Sequence, residues 1–488
     1  MYRVKTGTDI IMAEGGELLS ELLASAHLPV EMPCGGRGVC GKCRVLVNGK
    51  EELACRYVIG SDIEVVLPDR GEIVSETGIS FESAAGKNAG GNAGESVGGN
   101  VGESVGDELS FALDIGTTTL ALALVSSKDS SVKGVYTSGN PQRAFGADIM
   151  TRIEYCRRNS GAKLTSAVVD GINRLVKKSG VSSVGTMYVA GNVTMLHLLF
   201  SEDCSSIGVA PYTPVFLESR EYPAEVLGIE GVRRVVSLPS VSSFVGADIV
   251  AGMNYTGLPA PGNYSLLVDL GTNAEIVLFS DSSAVASAAA AGPCFEGANI
   301  SSGMSATRGA VCAFYIDENG VRRAETIENA PAAGICGTGL VDIVAELLRT
   351  GEIDETGYME CSEYEVADGV TLTQDDVRQF QLAKSAVFSA MISLMKNENV
   401  SFDDIGHLYI SGGFSAGINP RSAVRCGLLP AELAEKITVL NNSSLLGTVK
   451  FASEKNDLSV YIRNTRYIDL SSDAFFSGLF IENMMFDS

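Results

Sequence analysis

Four cysteines in the first 55 residues carry the strongest chemical signal in the chain. They read Pro33-Cys34-Gly35-Gly36-Arg37-Gly38-Val39-Cys40-Gly41-Lys42-Cys43, then Cys55 in GKEELACRYV, a C-x5-C-x2-C-x11-C spacing. An iron–sulfur cluster needs four converging thiolates with little side-chain bulk around them. Gly35, Gly36, Gly38 and Gly41 let the backbone wrap tightly and turn N–H groups toward sulfur. Structural zinc also takes four cysteines, but its sites come mostly as two C-x2-C-like pairs, and only Cys40 and Cys43 form one here. A Rieske centre does not fit, since the chain has three histidines and none lies in this loop.

A second constellation is built for phosphate. Asp114-Ile115-Gly116-Thr117-Thr118-Thr119 and Asp269-Leu270-Gly271-Thr272-Asn273 each sit between two apolar runs, about 155 residues apart. Glycine permits close backbone approach to phosphate, and threonine adds a hydroxyl beside the amide donors. An aspartate at a strand end can hold Mg²⁺ water or orient an attacking water. One D-x-G-T is equally well a hairpin turn; two copies point to a duplicated site. LYISGGF ends a strand in Gly412 and Gly413, and GICGTGL places Gly337 and Thr338 before the helical run VDIVAELL, where they can cap a helix beside phosphate. YVAGNVT (188–194) has a similar strand-to-helix place in the first half. None of the Gly-Lys pairs is followed by Ser or Thr, so there is no Walker A loop, and no G-x-G-x-x-G follows a strand.

The elements that must position these residues divide the chain. Residues 1–81 read as a compact unit around the cysteine cluster. Residues 82–109 hold a tandem octapeptide, GGNAGESV then GGNVGESV, in a Gly/Asn/Ser/Glu-rich stretch with almost no apolar surface to bury. That composition predicts a flexible linker with an r.m.s. span of about 30 Å. From 110 onward strands and helices alternate, and the repeated strand–turn–strand pattern predicts two α/β lobes, 110–262 and 263–488.

Bulk properties narrow the function. A formal net charge of −23 argues against nucleic-acid binding. No apolar run reaches the roughly 18 residues of a membrane span, and the N-terminus lacks a signal-peptide pattern, so a cytoplasmic protein without membrane partners is expected. Eleven cysteines in such a chain do not suggest a disulfide framework; the seven outside the cluster are expected to be mostly buried small residues. His197, on an apolar helix, reads as a core residue, and His407, before the Gly412-Gly413 strand, as structural.

The cysteine loop resembles the [2Fe–2S] ferredoxins. Plant-type members have four residues between the first two cysteines; this loop has five, as in vertebrate-type and corrinoid-activator ferredoxins. The glycine-rich motifs of 110–488 resemble the ATPase superfamily of actin, Hsp70 and sugar kinases (ASKHA). Taken together, CGGRGVCGKCRV, LDIGTTT, NPQRAFGADIMTRI, AGNVTMLHLL, GVAPYTPVF, FVGADIVA, VDLGTNAEI, AGPCFEGANISSGM and SGGF resemble the reductive activators of corrinoid proteins over nearly the whole chain. The resemblance implies a multidomain α/β protein: an N-terminal β-grasp [2Fe–2S] domain and a two-lobed, RNase H-like ATPase domain. It implies ATP-driven reduction of Co(II) to Co(I) in a corrinoid protein of a methyltransferase system, with an external low-potential electron donor. Homodimer formation is compatible with it. Cys34, Cys40, Cys43 and Cys55 would hold the cluster. Asp114 and Asp269 would act with Mg²⁺ and ATP, and Gly116, Thr117, Thr118, Gly271, Thr272, Asn273, Gly337, Thr338, Gly412 and Gly413 would bind the nucleotide. Ser301 or Ser302 would face the cobalt, although the loop also reads as a glycine-rich turn against ATP. Longer members carry a further small domain where this chain has only the octapeptide stretch. Three other readings remain open at this stage: an activator of radical dehydratases or ring reductases, a small-molecule kinase of the same fold, and a redox-sensing ATP-binding scaffold.

Overall fold

A computed structural model describes residues 1–486 except 8, 27, 29, 31, 33–35, 39, 40, 42, 68–108 and 414. Cys34, Cys40 and nearly all of the expected linker therefore lie outside the described residues.

The N-terminal sheet is formed by β1 (Tyr2–Thr6), β2 (Asp9–Ala13), β3 (Arg44–Val47), β4 (Lys50–Leu53) and β5 (Ile63–Val66), in the order β2-β1-β5-β3-β4. Helix α1 (Leu19–Ser25) covers it. Alternation decides which face is buried: Val45 and Val47, like Ile63 and Val65, point inward while their neighbours face water. Leu19, Leu22 and Leu23 of α1 close this small core, which includes Cys43 and Cys55.

The second unit contains β6 (Leu109–Ile115), β7 (Thr119–Ser126), β8 (Val132–Gly139), α2 (Ile149–Asn159), α3 (Ala162–Lys178), β9 (Val184–Gly191), α4 (Val193–Leu199), β10 (Glu221–Pro223), β11 (Val232–Ser237) and α5 (Ala247–Thr256). Its sheet runs β10-β11-β9-β6-β7-β8. The third contains β12 (Tyr264–Leu270), β13 (Ala274–Phe279), β14 (Ala284–Ala289), β15 (Ala310–Ile316), β16 (Arg322–Thr326), β17 (Gly334–Ile335), α6 (Gly337–Thr350), β18 (Glu363–Ala367), β19 (Val370–Thr373), α7 (Gln374–Asn397), β20 (Ile405–Ser411), α8 (Pro420–Arg425), β21 (Ile437–Val439), α9 (Ser443–Glu454), α10 (Ser459–Arg463), β22 (Thr465–Tyr467) and α11 (Ala474–Glu482). Its main sheet runs β21-β20-β12-β13-β14-β22.

The two large sheets share a plan. Each opens with an antiparallel three-stranded meander, β6-β7-β8 or β12-β13-β14. Each then adds parallel strands on the other side of its first strand: β9 and β11 beside β6, β20 and β21 beside β12. The first strands are apolar on both faces because both faces are covered; Phe111 to Leu113 and Leu266 to Val268 are fully buried. The two D-x-G-T turns thus occupy the same place, the first hairpin of each sheet. Between the sheets α5 touches β9 and β12, while α9 lies against β6, β7 and β9. The two helices cross at Gly447, where a Cβ would fall 1.7 Å from the Ala251 carbonyl oxygen.

Candidate nucleotide site

A cavity of ≈ 430 Å³ opens between the two hairpins. It is lined by Asp114, Gly116, Thr117 and Thr118 from one side and by Asp269, Gly271, Thr272 and Asn273 from the other. Gly337, Thr338, Gly412 and Gly413 complete it. Sequence motifs separated by as much as 300 residues therefore share one space.

The first loop is gripped from behind. Asn140 Nδ2 donates to the Gly116 carbonyl at 2.8 Å, the Asn140 N–H donates to the Thr118 carbonyl at 2.8 Å, and the Arg152 guanidinium donates to the Thr117 carbonyl. In a trans peptide the C=O of one residue and the N–H of the next point opposite ways. Pinning the Gly116 and Thr117 carbonyls backward therefore turns the Thr117 and Thr118 amides toward the cavity, an arrangement that receives anions. In the second loop the Gly271 N–H bonds the Asn273 carbonyl at 3.0 Å, and Thr272 Oγ1 donates to Glu296 Oε1 at 3.0 Å.

Two of the glycines are required by close packing. A Cβ on Gly412, whose φ is +111°, would lie 2.1 Å from the Leu270 carbonyl oxygen, and one on Gly337 would lie 2.0 Å from that of Phe295. Gly413 faces open space. Thr338 is buried and its hydroxyl donates to the Cys312 carbonyl at 2.9 Å, so that side chain serves the fold more than the cavity.

The sequence did not single out several residues that matter here. Asp248 opens α5, Glu275 lies on β13, and Glu296 follows β14; with Asp114, Asp148 and Asp269 they put six carboxylates around one cavity. Burial and mutual repulsion push Asp248 up to about 8, with Asp269 and then Asp114 as the repelling charges. Asp269 is pushed up to about 7 by burial and by Asp114. Glu275 is raised well above the ordinary carboxylate range, first by burial and then by Asp248 and Asp269. Burial also raises Glu296 and Asp114. Both Asp114 oxygens are held from across the cleft: Ser444 Oγ donates to one at 2.7 Å and Asn442 Nδ2 to the other at 2.9 Å. The only signal for Asp248 and Glu296 was their place in FVGADIVA and AGPCFEGANISSGM.

Among the described residues, no set of three or more His, Cys, Asp and Glu side chains converges closely enough to hold a metal ion directly. The donor set still suits Mg²⁺, which keeps several waters and takes one or two carboxylates plus phosphate oxygens.

In the N-terminal unit, Cys43 Sγ and Cys55 Sγ are buried 3.2 Å apart. That is too long for a disulfide, whose S–S bond is about 2.05 Å, and it suits two thiolates on one metal. Gly36, Gly38 and Gly41 all have positive φ, at +78°, +71° and +66°, so the loop between the ligand positions takes turns that favour glycine.

Residues 109–260 match the RACo middle region, and residues 263–488 match the C-terminal domain of RACo, its ASKHA domain. The chain belongs to the RACo family. It is 25% identical to the corrinoid activation enzyme RamQ of Eubacterium limosum, with 96% of each chain covered. It is 26% identical to the Co(II) methylated amine-specific corrinoid protein reductase of Methanosarcina barkeri over 73% of this chain and 72% of that one. Among solved structures it resembles a reductive activator for corrinoid, iron-sulfur protein, with a TM-score of 0.71, 27% identity, and 100% and 98% of the two chains covered.

In this RACo-family chain Ser301 lies outside the nucleotide cavity; Met304, Ser305 and Ala306 of the same loop line it instead. Ser301 is exposed. Its N–H and Oγ reach Asp376 Oδ1 at 2.7 and 3.1 Å, and its Oγ sits 3.2 Å from Thr373 Oγ1. Ser302 Oγ accepts from the Thr371 N–H at 3.2 Å. His197 is fully buried, stacked on Phe216, with its two ring nitrogens bonded to the Val193 carbonyl and the Val215 N–H. His407 lies within β20, not before it, and stacks on Tyr409. Of the seven scattered cysteines, Cys156, Cys204, Cys294, Cys336 and Cys426 are buried, Cys312 is half-buried and Cys361 is exposed. Among the described residues, no helix is long and apolar enough to cross a membrane.

Proposed function

We propose that this RACo-family protein uses ATP to drive one-electron reduction of a corrinoid protein of a methyl-transfer system, taking inactive Co(II) to Co(I). The observation that carries this is the pairing, in one chain, of a two-loop nucleotide cavity with a buried thiol pair, in a family whose named relatives act on corrinoid proteins. Cys43 and Cys55, with Cys34 and Cys40, would hold a [2Fe–2S] cluster in a β-grasp domain; when bound, it supplies one-electron transfer from an external low-potential donor. Plant-type clusters sit near about −400 mV, and each further 100 mV uphill costs about 2.3 kcal/mol per electron, which is the need that ATP meets.

The chain's own residues divide the work. The Thr117 and Thr118 amides receive phosphate oxygens. Asp269, whose raised pKa lies near neutrality, would take the proton of the attacking water or hold a water of a bound Mg²⁺. Asp114, fully engaged by Asn442 and Ser444, ties the first hairpin to the start of α9. Gly412 and Gly413 leave room for adenosine. Ser301, exposed and held by Asp376 and Thr373, would be the residue of this loop nearest the cobalt of the docked substrate.

The test is optical: purified protein, a Co(II) corrinoid protein, a low-potential reductant, and ATP present or absent. Growth of the Co(I) band only with ATP is expected, with loss in Cys43→Ala and in Asp269→Ala. Absence of Co(I) with every corrinoid protein tried, despite an intact cluster spectrum and bound ATP, would sink the proposal.

A further inference from the structure

Arg152 is fully buried, yet every group that it touches is neutral. Its Nε donates to the Gly146 carbonyl at 2.9 Å, its Nη1 contacts Gln142 Oε1 and Met195 Sδ, each at 3.2 Å, and its Nη2 donates to the Thr117 carbonyl. Among the described residues no carboxylate comes within ion-pair distance; the nearest influences are the repelling Arg143 and, more weakly, the attracting Asp148 and Glu296. Burial pushes its pKa down to about 9, so it remains charged at neutral pH. An ion taken out of water without a counter-ion is costly. Asp148 and Glu296 offset that cost only from beyond ion-pair distance, which leaves room for a stronger negative charge in the cavity to offset more of it.

The phosphate loop lies directly in front of this guanidinium. Arg152 bonds the C=O of the Thr117–Thr118 peptide, whose N–H is turned to the cavity. A cation on the carbonyl polarises that peptide and strengthens its N–H as a donor. Asn192 Nδ2 steadies the same residue from the side, 3.4 Å from Thr117 Oγ1. The Arg152 side chain does not itself line the cavity.

We infer that Arg152 is a positioning residue that reads the charge of the bound nucleotide through the Thr117–Thr118 peptide, with the polyphosphate as its missing counter-ion. ATP is then favoured over adenosine by an interaction that no residue of the adenosine side supplies. The inference rests on the nucleotide half of the proposed function and needs nothing from the corrinoid half.

The experiment titrates Mg-ATP, Mg-ADP and adenosine by calorimetry into the full chain and into Arg152→Lys and Arg152→Gln, with thermal unfolding of each apo protein as the folding control. Arg152→Gln should weaken Mg-ATP by about tenfold or more while adenosine changes by less than about threefold; Arg152→Lys, which keeps the charge, should fall between. The same ATP-to-adenosine affinity ratio in folded Arg152→Gln as in the wild type overturns the inference and leaves the nucleotide site standing. Wild-type protein that binds no Mg-ATP overturns the nucleotide reading itself. Should Arg152→Gln fail to fold, the wild type decides: Mg-tripolyphosphate alone should raise its unfolding temperature, and no rise there, with a rise from adenosine, overturns the inference.

Discussion

Six carboxylates around one cavity make it a source of instability with a defined pH dependence. Free aspartate titrates near about 3.9, while Asp248 and Asp269 are raised to about 8 and about 7 in the folded chain. Between those values the native state holds protons that the unfolded state has released, so stability falls as pH rises through this window. The nucleotide-free protein should therefore unfold at a lower temperature at pH 8.5 than at pH 6. Asp248→Asn should flatten the profile and raise the unfolding temperature at pH 8.5 by at least ~3 °C. Differential scanning calorimetry across pH checks this; a wild-type profile that is flat from 6 to 8.5 would contradict it. The same residues show what a sequence yields and withholds. Asp114 and Asp269 were legible because a glycine-threonine turn after an apolar strand carries its own mechanism. Asp248, Glu296 and Arg152 were not, because an aspartate opening a helix or an arginine inside one is locally ordinary; only the approach of separate segments gives them a role.

At the scale of elements, the crossing of α5 and α9 holds the two sheets in register around the cavity. Asn254 Nδ2 donates to the Gly447 carbonyl at 3.0 Å at this crossing, and Asn442, which caps α9 through the Leu445 N–H at 2.7 Å, also holds Asp114. Gly447→Ala would place a methyl group 1.7 Å from the Ala251 carbonyl oxygen. Backbone against backbone cannot relax as a flexible side chain can, so a loss of about 3 kcal/mol or more is expected. Urea unfolding measures it, and nucleotide affinity should fall with it because α9 carries Asn442 and Ser444. A loss below about 1 kcal/mol would mean that the helices separate easily and do not set the cleft. The strands at this scale were readable from continuous apolar runs such as FALDI and SLLVDL. The seat of α9 was not: SSLLGTVKFASE reads as any mildly amphipathic helix, and nothing in it says that its glycine meets a second helix some 195 residues earlier in the chain.

For the whole molecule, the N-terminal unit that carries the thiol pair meets the first large unit through α1. One end of α1 is tied to the cysteine turn: the Ser20 N–H donates to the Ala54 carbonyl at 3.1 Å, next to Cys55. Its other side meets the segment around Pro141 and Phe145 and the start of α3, where Ala24 packs beside the core and Glu21 pairs with Lys163 at 2.6 Å. Side-chain exposures of 36% and 54% make this an ion pair in high dielectric, worth about 1 kcal/mol or less and weakened further by salt. Among the described residues, the ion pair at this contact is exposed, so salt is expected to weaken it. Small-angle X-ray scattering of the full chain should show a radius of gyration that grows by a few Å as salt is raised from about 50 to about 500 mM. Lys163→Glu should reach the expanded value at low salt without loss of global stability, since both side chains are exposed. The exchange Glu21→Lys with Lys163→Glu should restore the compact value, because it reverses the pair and leaves its geometry. A radius indifferent to salt and to all three chains would mean that apolar contact alone holds α1 in place.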